Sequence, residues 1–182
     1  MRDWRHCPRC AAGLERRRPA GDDEERLVCP ACGLVLYDNP APTAGAIVED
    51  REGRILLARR AIEPFKGLWD VPGGFVKPGE DGEDAVRREL GEELGVDVLV
   101  GAPAWVIADS YGNDGVPTLN VFYRARIARG EPTPADDVAE IAWFRAGELP
   151  PACDIAFPCV REALARWRRG HAEAGSGIVN EA

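Results

Sequence analysis

The chain has 182 residues, of which 45% are hydrophobic, and this is enough for one globular domain with a small accessory module. Its formal net charge of −8 at pH 7 argues against general binding of nucleic acid. No apolar run reaches the roughly 18 residues of a membrane span, and the N-terminal sequence MRDWRHCPRC lacks the apolar core of a signal peptide. We therefore expect a cytoplasmic protein that does not associate with membranes.

The N-terminal segment contains two CxxC pairs. They are formed by Cys7, Cys10, Cys29 and Cys32. Two turns that each present two thiolates are typical of a tetrahedral structural Zn²⁺ site, and we predict a zinc ribbon at residues 1–37. Zinc would supply much of its folding energy, because so short a module buries little core. A redox-active dithiol is the alternative for these pairs, while Cys153 and Cys159 are expected to be ordinary small side chains.

The remainder of the chain alternates strand and helix patterns. Strands are predicted at residues 43–48, 55–58, 68–71, 98–108, 119–127 and 140–144. Helices are predicted at about 82–94 and 157–169, and the apolar stripe of the second favours core packing over base stacking. Strands, an internal helix, further strands and a closing helix fit an α/β sandwich with a mixed sheet at residues 38–169. Residues 170–182 are expected to form a flexible tail.

The first predicted helix has clear end signals and one apolar face. Asp81 is a suitable N-cap, and Gly95 stands where a helix would end. The apolar stripe consists of Val86, Leu90 and Leu94. This pattern predicts an amphipathic helix with one buried face.

Three carboxylates project from a neighbouring face of this helix. Glu89, Glu92 and Glu93 are spaced i, i+3 and i+4 and therefore lie close together. Carboxylates this close repel one another, so the face needs either a bound cation or full solvation. Hard oxygen ligands in this number suit Mg²⁺ or Mn²⁺. A solvated acidic surface is the alternative that the helix by itself leaves open.

Residues 74–96 fit the Nudix box at each of its fixed positions. The box is Gly, five residues, Glu, seven residues, Arg-Glu-apolar, one residue, Glu-Glu, one residue and Gly-apolar. These positions are Gly74, Glu80, Arg88, Glu89, Leu90, Glu92, Glu93, Gly95 and Val96. The chain therefore resembles the Nudix hydrolases, which use divalent metal ions and water to cut pyrophosphate bonds in nucleoside diphosphate derivatives. The resemblance extends over most of residues 7–167 and implies a Nudix α/β/α sandwich preceded by a zinc ribbon.

The resemblance also implies roles for individual residues. The implied ligands of Mg²⁺ or Mn²⁺ are the backbone carbonyl of Gly73 and the side chains of Glu89, Glu92 and Glu93. These three glutamates and Arg88 are the implied catalytic residues. Glu89 is the family's usual candidate for deprotonating water, Arg88 would orient the carboxylates, and Glu80 would brace the loop and helix.

Outside the box, the sequence offers candidates with ordinary alternatives. An extra metal ligand or base would come from Asp136, Asp137 or Glu140, although an acidic loop is the simpler interpretation. Phosphate contacts would come from Arg59, Arg60 or Lys66, and base stacking from Phe65 or Trp69. Surface charge and core packing are the more common roles of such residues.

The substrate is only loosely constrained by sequence. The ribbon and box are similar to those of bacterial NADH pyrophosphatases, but the segment GAPAWVIADSYGNDG replaces their Ser-Gln-Pro-Trp-Pro-Phe-Pro signature. Other zinc-ribbon Nudix proteins, some of which act on ADP-ribose and FAD, resemble the chain better, although Tyr111 replaces a proline found in many ADP-ribose enzymes. We expect a nucleotide-sugar or dinucleotide substrate, with ADP-ribose first, FAD second and NADH third, and no nucleic-acid partner. The alternative is a nucleotide-sensing or regulatory binding protein with a Nudix fold, whose zinc ribbon would recognise a partner or nucleic acid. A homodimer is left open.

Overall fold

The computed structural model describes residues 4–112 and 115–175, and the chain divides into two compact units between Pro40 and Ala41. The first unit contains a three-stranded antiparallel sheet in the order β1-β2-β3. Its strands are β1 (Glu15–Arg17), β2 (Arg26–Val28) and β3 (Val35–Leu36). Such short strands bury little apolar surface, so the unit needs a further source of stability.

The four cysteines of the first unit converge as predicted. Their sulfur atoms all lie within 4.8 Å of one another. Cys7 Sγ is 3.6 Å from Cys32 Sγ, and Cys10 Sγ is 3.4 Å from Cys29 Sγ, so none of the four forms a disulfide. Four thiolates at the tetrahedral Zn–S distance of about 2.3 Å would place their sulfurs about 3.8 Å apart. The cluster therefore fits a structural Zn²⁺ ion with every ligand position filled by protein.

The second unit is built on two sheets. The four-stranded sheet has the order β7-β4-β9-β8, and the three-stranded sheet has the order β10-β5-β6. The strands are β4 (Ala41–Val48), β5 (Ile55–Arg60), β6 (Trp69–Asp70), β7 (Gly73–Phe75), β8 (Asp97–Tyr111), β9 (Val116–Arg129) and β10 (Val138–Phe144). Strands β4 and β9 run parallel, whereas the other pairs are antiparallel. The predicted mixed sheet is therefore confirmed.

Two helices cover opposite faces of the four-stranded sheet. They are α1 (Gly82–Leu94) and α2 (Pro158–Gly175), and a short 3₁₀ helix spans Ala152–Asp154. Alternate residues of a strand point to opposite faces. Thus Ala46 and Val48 of β4 pack in the cluster that contains α1, whereas Ile47 packs in the cluster that contains α2. The α/β sandwich predicted from the order of elements is confirmed.

Both ends of α1 and the start of α2 agree with the prediction, whereas the C-terminal end of α2 does not. The Asp81 side chain accepts a hydrogen bond from the backbone N–H of Asp84 at 2.9 Å, and Gly95 ends α1 with a φ of 67°. The predicted end of α2 at residue 169 is wrong, because the helix continues to Gly175. The first part of the expected flexible tail is therefore helical, and its remainder, residues 176–182, lies outside the described residues.

The apolar stripe of α2 packs in the core, as predicted. Its members Phe157, Val160, Leu164 and Trp167 are all buried. Cys159 is also buried, and Cys153 is exposed. Among the described residues, no helix has both the length and the hydropathy that a membrane span requires.

We expect one equivalent of zinc per chain after purification without added zinc, because four protein thiolates complete the site. Cys29→Ser removes a buried ligand and should lower the unfolding temperature of the ribbon, whereas Cys153→Ser, at an exposed thiol in the second unit, should not. Elemental analysis and thermal unfolding of the full chain provide the measurements. A zinc content below about a third of an equivalent, with a redox-active thiol pair in its place, would contradict the assignment.

Candidate active site

A cavity of about 290 Å³ lies in the second unit. One part of its wall comes from β7 and α1 and includes Gly73, Gly74, Glu89 and Glu93. The opposite part comes from β8, β9 and the start of α2, and it is richer in aromatic and uncharged polar groups. The cavity therefore joins an acidic end to a mixed polar and aromatic end.

The two glycines of β7 allow the strand to lie directly against its neighbours. Gly73 has a φ of 142°, which L side chains rarely adopt. A Cβ atom at Gly73 would overlap the carbonyl oxygen of Ala44, and one at Gly74 would lie 2.7 Å from the carboxyl carbon of Glu89. Glycine is therefore required here so that the backbone can approach the carboxylates of α1.

The guanidinium of Arg88 is bonded to several partners around the acidic end. Its Nε and Nη2 donate to the two oxygens of Glu80 at 3.0 and 2.6 Å, and Nη2 also donates to the carbonyl of Phe75 at 3.1 Å. Its Nη1 donates to Glu89 at 2.7 Å and to Glu92 at 3.1 Å. These contacts occupy all five N–H groups of an arginine. Arg88 therefore positions the surrounding groups and has no free donor for a ligand.

Glu80 is held as a charged brace. Beside the two hydrogen bonds from Arg88, it accepts one from the backbone N–H of Lys77 at 2.6 Å. The Arg88 hydrogen bonds lower the pKa of the Glu80 carboxyl to about 2. Glu80 therefore stays ionised and fixes the loop before α1 to the middle of that helix.

Glu93 is the most perturbed carboxyl of the site. Its side chain is almost completely buried, and one oxygen accepts a hydrogen bond from the backbone N–H of Gly73 at 3.0 Å. Burial, together with the neighbouring carboxylates of Asp137 and Glu89, raises its pKa to about 9. Burial likewise raises the pKa of Asp70 to about 6, although Arg60 opposes this. This part of the cavity therefore concentrates negative charge that only a cation or protons can neutralise.

The three helix carboxylates do not all point at one position. Glu89 and Glu93 lie on the cavity wall, whereas Glu92 does not line the cavity, is 45% exposed and pairs with Arg88 and Lys77. Among all groups of three or more His, Cys, Asp or Glu side chains within residues 4–112 and 115–175, only the four cysteines of the first unit have ligand atoms that all lie within 4.8 Å of one another. The structure therefore brings together Gly73, Glu89 and Glu93 and leaves Glu92 at the side.

The loop before β10 brings further carboxylates to the cavity. Backbone N–H groups of Thr133 and Ala135 donate to the last carbonyls of α1, at 3.0 and 2.8 Å, so the loop is fixed to the helix end. Asp136 and Asp137 line the cavity, and Asp136 has a φ of 51°, which is uncommon outside glycine. Glu140 does not line it and instead pairs with Arg59 at 3.3 Å.

Of the basic and aromatic candidates, Arg60 alone lines the cavity. It donates to Asp70 at 3.2 Å and to the carbonyl of Pro64 at 2.7 Å. Arg59 lies over the ring of Trp69, which is buried in the core, and Lys66 and Phe65 are exposed. Several polar residues of the wall were not predicted from sequence: Thr43, Asp70, Lys77, Asp109, Thr118 and Asn120. Thr118 and Asn120 alternate with apolar residues along β9, and this pattern was the sequence signal that could have identified them.

Comparisons with known proteins cover both units of the chain. The NUDIX domain family matches residues 39–165, and the Nudix N-terminal family matches residues 5–38. The NAD-capped RNA hydrolase NudC of Stutzerimonas stutzeri is 33% identical over 164 residues, which cover 90% of this chain and 54% of that protein. The ADP-ribose pyrophosphatase of Methanocaldococcus jannaschii is 31% identical over 135 residues, which cover 74% of this chain and 79% of that protein.

A solved structure shows the same fold. The NUDIX hydrolase from Nitrosomonas europaea superposes with a TM-score of 0.75 at 28% identity, with 93% of each chain covered. The chain spans about half the length of the NAD-capped RNA hydrolases that it matches, with coverages of 54% and 51%. The predicted Nudix fold and its ribbon are thereby confirmed, and the chain belongs to the Nudix hydrolase family, with the N-terminal domain of that family ahead of its NUDIX domain.

Proposed function

We propose that the protein is a Mg²⁺- or Mn²⁺-dependent pyrophosphohydrolase that cleaves the diphosphate bond of a nucleoside diphosphate derivative. The observation that carries this proposal is the buried Glu93 carboxyl beside Glu89 and Asp137 in a cavity wall. Such a group ionises readily only when a cation is bound next to it. An acidic surface without a function would leave these carboxylates solvated.

The oxygen donors at this end of the cavity fit a hard divalent cation. The residues that would hold it are Glu89, Glu93, the Gly73 carbonyl and, from the side, Glu92. A bound cation would neutralise charge on the diphosphate and lower the pKa of an attached water. Arg88 holds Glu89 and Glu92 in place by donating a hydrogen bond to each. Its other N–H groups bind Glu80 and the Phe75 carbonyl, so none is left to donate to the substrate.

Glu89 is the proposed acceptor of the water proton. Its Oε1 is bonded to Arg88, and Oε2 has no hydrogen-bond partner among the described residues. Oε2 is therefore available to a water at the cavity. Asp136 and Asp137 are the alternative acceptors, because both line the same wall.

We propose ADP-ribose as the first substrate, FAD as the second and NADH as the third. The 31% identity to an ADP-ribose pyrophosphatase supports this class of substrate. Cleavage of ADP-ribose or FAD would release AMP with ribose 5-phosphate or FMN. The similarity to NAD-capped RNA hydrolases adds NAD-capped RNA as a candidate outside this ranking, since its cap contains the same type of diphosphate bond. It therefore belongs in the same substrate test.

The proposal is tested by incubating the purified chain and Mg²⁺ with ADP-ribose, FAD, NADH, NAD-capped RNA and a nucleoside triphosphate. We expect AMP as the common product of the first three, separated by chromatography. A chelator should abolish turnover, and added Mg²⁺ or Mn²⁺ should restore it. Efficient release of inorganic pyrophosphate from the triphosphate, with ADP-ribose and FAD uncut, would overturn the substrate ranking. Tight nucleotide binding without any turnover would favour the regulatory alternative.

Glu89→Gln retains the size of the side chain and removes its charge. We expect kcat to fall by roughly 10²-fold or more, equivalent to about 2.7 kcal/mol of transition-state stabilisation. Glu83→Gln is the matched control on the same helix, because the Glu83 side chain is 46% exposed and pairs only with Arg87 among the described residues. Glu80→Gln should cost much less than Glu89→Gln, since it loosens Arg88 without removing a ligand. Retention of more than about a third of kcat in Glu89→Gln would show the role to be wrong.

Mg²⁺ affinity should rise with pH because of Glu93. Without a cation, the pKa of this carboxyl is raised from 4.5 to about 9. The contribution of Glu93 to the free energy of unfolding is therefore fully present below about pH 4.5. It is lost progressively as the pH rises to about 9, because the buried carboxyl must then ionise. Since Mg²⁺ binds the ionised form, we expect up to about tenfold tighter binding per pH unit between about pH 6.5 and 8.5. Mg²⁺ titrations followed by Tm measure this, and equal affinities at both pH values would contradict it.

A further inference from the structure

A row of polar side chains crosses the otherwise apolar cavity face of the four-stranded sheet. Thr118 and Asn120 of β9 are 3% and 9% exposed. The strand register places Asp109 of β8 opposite Thr118 and Thr43 of β4 opposite Asn120. We name these four residues the polar row. All four line the cavity, and none takes part in the chemistry proposed above.

Hydrogen bonds fix which group each member of the polar row presents. Asn120 Oδ1 accepts from the Thr43 hydroxyl at 2.6 Å, and Asn120 Nδ2 donates to the carbonyl of Ile107 at 3.0 Å and to Thr118 Oγ1 at 3.1 Å. The carbonyl of Ile107 can only accept, so the amide orientation is determined. Thr118 therefore accepts from Asn120, and its own hydroxyl hydrogen has no acceptor among the described residues. Thr118 presents a hydrogen-bond donor.

Asp109 presents the complementary acceptor. Its two oxygens accept hydrogen bonds from the backbone N–H groups of Ser110 and Cys159, both at 2.8 Å. These bonds fix the carboxylate, and the Cys159 thiol also hydrogen-bonds to it. Because two carboxylate oxygens offer about four acceptor sites, Asp109 can still accept a further hydrogen bond from a ligand. The adjacent Cys159 thiol stays neutral, because burial and then Asp109 raise its pKa. A fixed acceptor thus lies beside the donor of Thr118 on the same face of the sheet.

Flat aromatic rings flank this donor and acceptor pair. Tyr111 lies on the same face of β8 as Asp109 and stacks on Phe157 with ring centroids 5.6 Å apart. Phe75 meets Tyr111 edge-on at 5.1 Å and is 40% exposed. We name Phe75, Tyr111 and Phe157 the aromatic wall. Aromatic faces favour a planar ring over a sugar.

We propose that this end of the cavity binds the adenine ring of the substrate, with its amino group donating to Asp109 and a ring nitrogen accepting from Thr118. The inference rests on the proposed function, because the diphosphate of the same molecule must reach Glu89 and Glu93. A cavity of about 290 Å³ lies at the small end of the range for ligand pockets, and it suits one nucleoside half of a dinucleotide. Hypoxanthine has a carbonyl in place of the amino group and an N–H in place of the acceptor N1. Both of its groups would therefore be mismatched.

The test compares the binding of AMP and IMP to the full chain by calorimetry. AMP should bind at least about tenfold more tightly than IMP, because a mismatched buried edge leaves polar groups unpaired. Asp109→Asn retains an acceptor for the Cys159 N–H but offers an amide donor, so the ratio should fall to about threefold or less. Thr118→Val should lower the same ratio. Asp97→Asn, at an exposed site on the same strand, is the matched control and should leave the ratio unchanged.

Two further ligands identify the ring that occupies the site. NMN and ribose 5-phosphate should bind more weakly than AMP, with affinities that Asp109→Asn does not change. An effect of Asp109→Asn on NMN instead of AMP, or equal binding of AMP and IMP by the wild type, would overturn the assignment. These affinities are read without turnover. A wild type that discriminates AMP from IMP but cleaves no diphosphate would therefore refute the proposed function alone.

Discussion

The acidic end of the cavity depends on one guanidinium. Arg88 joins the loop that carries Glu80, the backbone of β7 at Phe75 and two carboxylates of its own helix. Carboxylates one helical turn apart repel one another, and this pairing makes their proximity tolerable before any cation binds. The shape of the site is therefore set by the protein, and a cation enters an arrangement that already exists.

The charge distribution of the cavity bears on the cation in the proposed function. The diphosphate of the proposed substrate is anionic, and the cavity wall carries Glu89, Glu93 and Asp137. Arg60 does not offset this charge, since it is paired with Asp70. Like charges in a partly buried site repel strongly, because water screens them poorly there. The polar row lies at the other end, where recognition requires hydrogen bonds and shape.

Sequence predicted the features that depend on local signals. The cap residues Asp81 and Gly95 set both ends of α1, and box spacing identified the acidic end of the cavity. The end of α2 was missed because a tertiary contact lies beyond it: His171 Nε2 is 3.0 Å from Glu49. Within the helix, the His171 ring also packs on Trp167, with centroids 4.4 Å apart. The polar row could not be predicted, because its members meet only through the register of β8 and β9 with each other and with β4, which is distant in sequence.

The contacts around Gly73 and Gly74 mean that the two ends of the cavity differ in how well they tolerate amino-acid substitutions. At the acidic end, any side chain on these glycines would collide with the backbone of β4 or with Glu89. At the other end, the polar row and the aromatic wall line the cavity with side chains, so a substitution there changes the volume and polarity of the cavity directly. If the proposed assignments hold, nucleoside preference and bond cleavage are encoded by different residues, and the first could change through substitutions in the polar row that leave the glycines of β7 untouched.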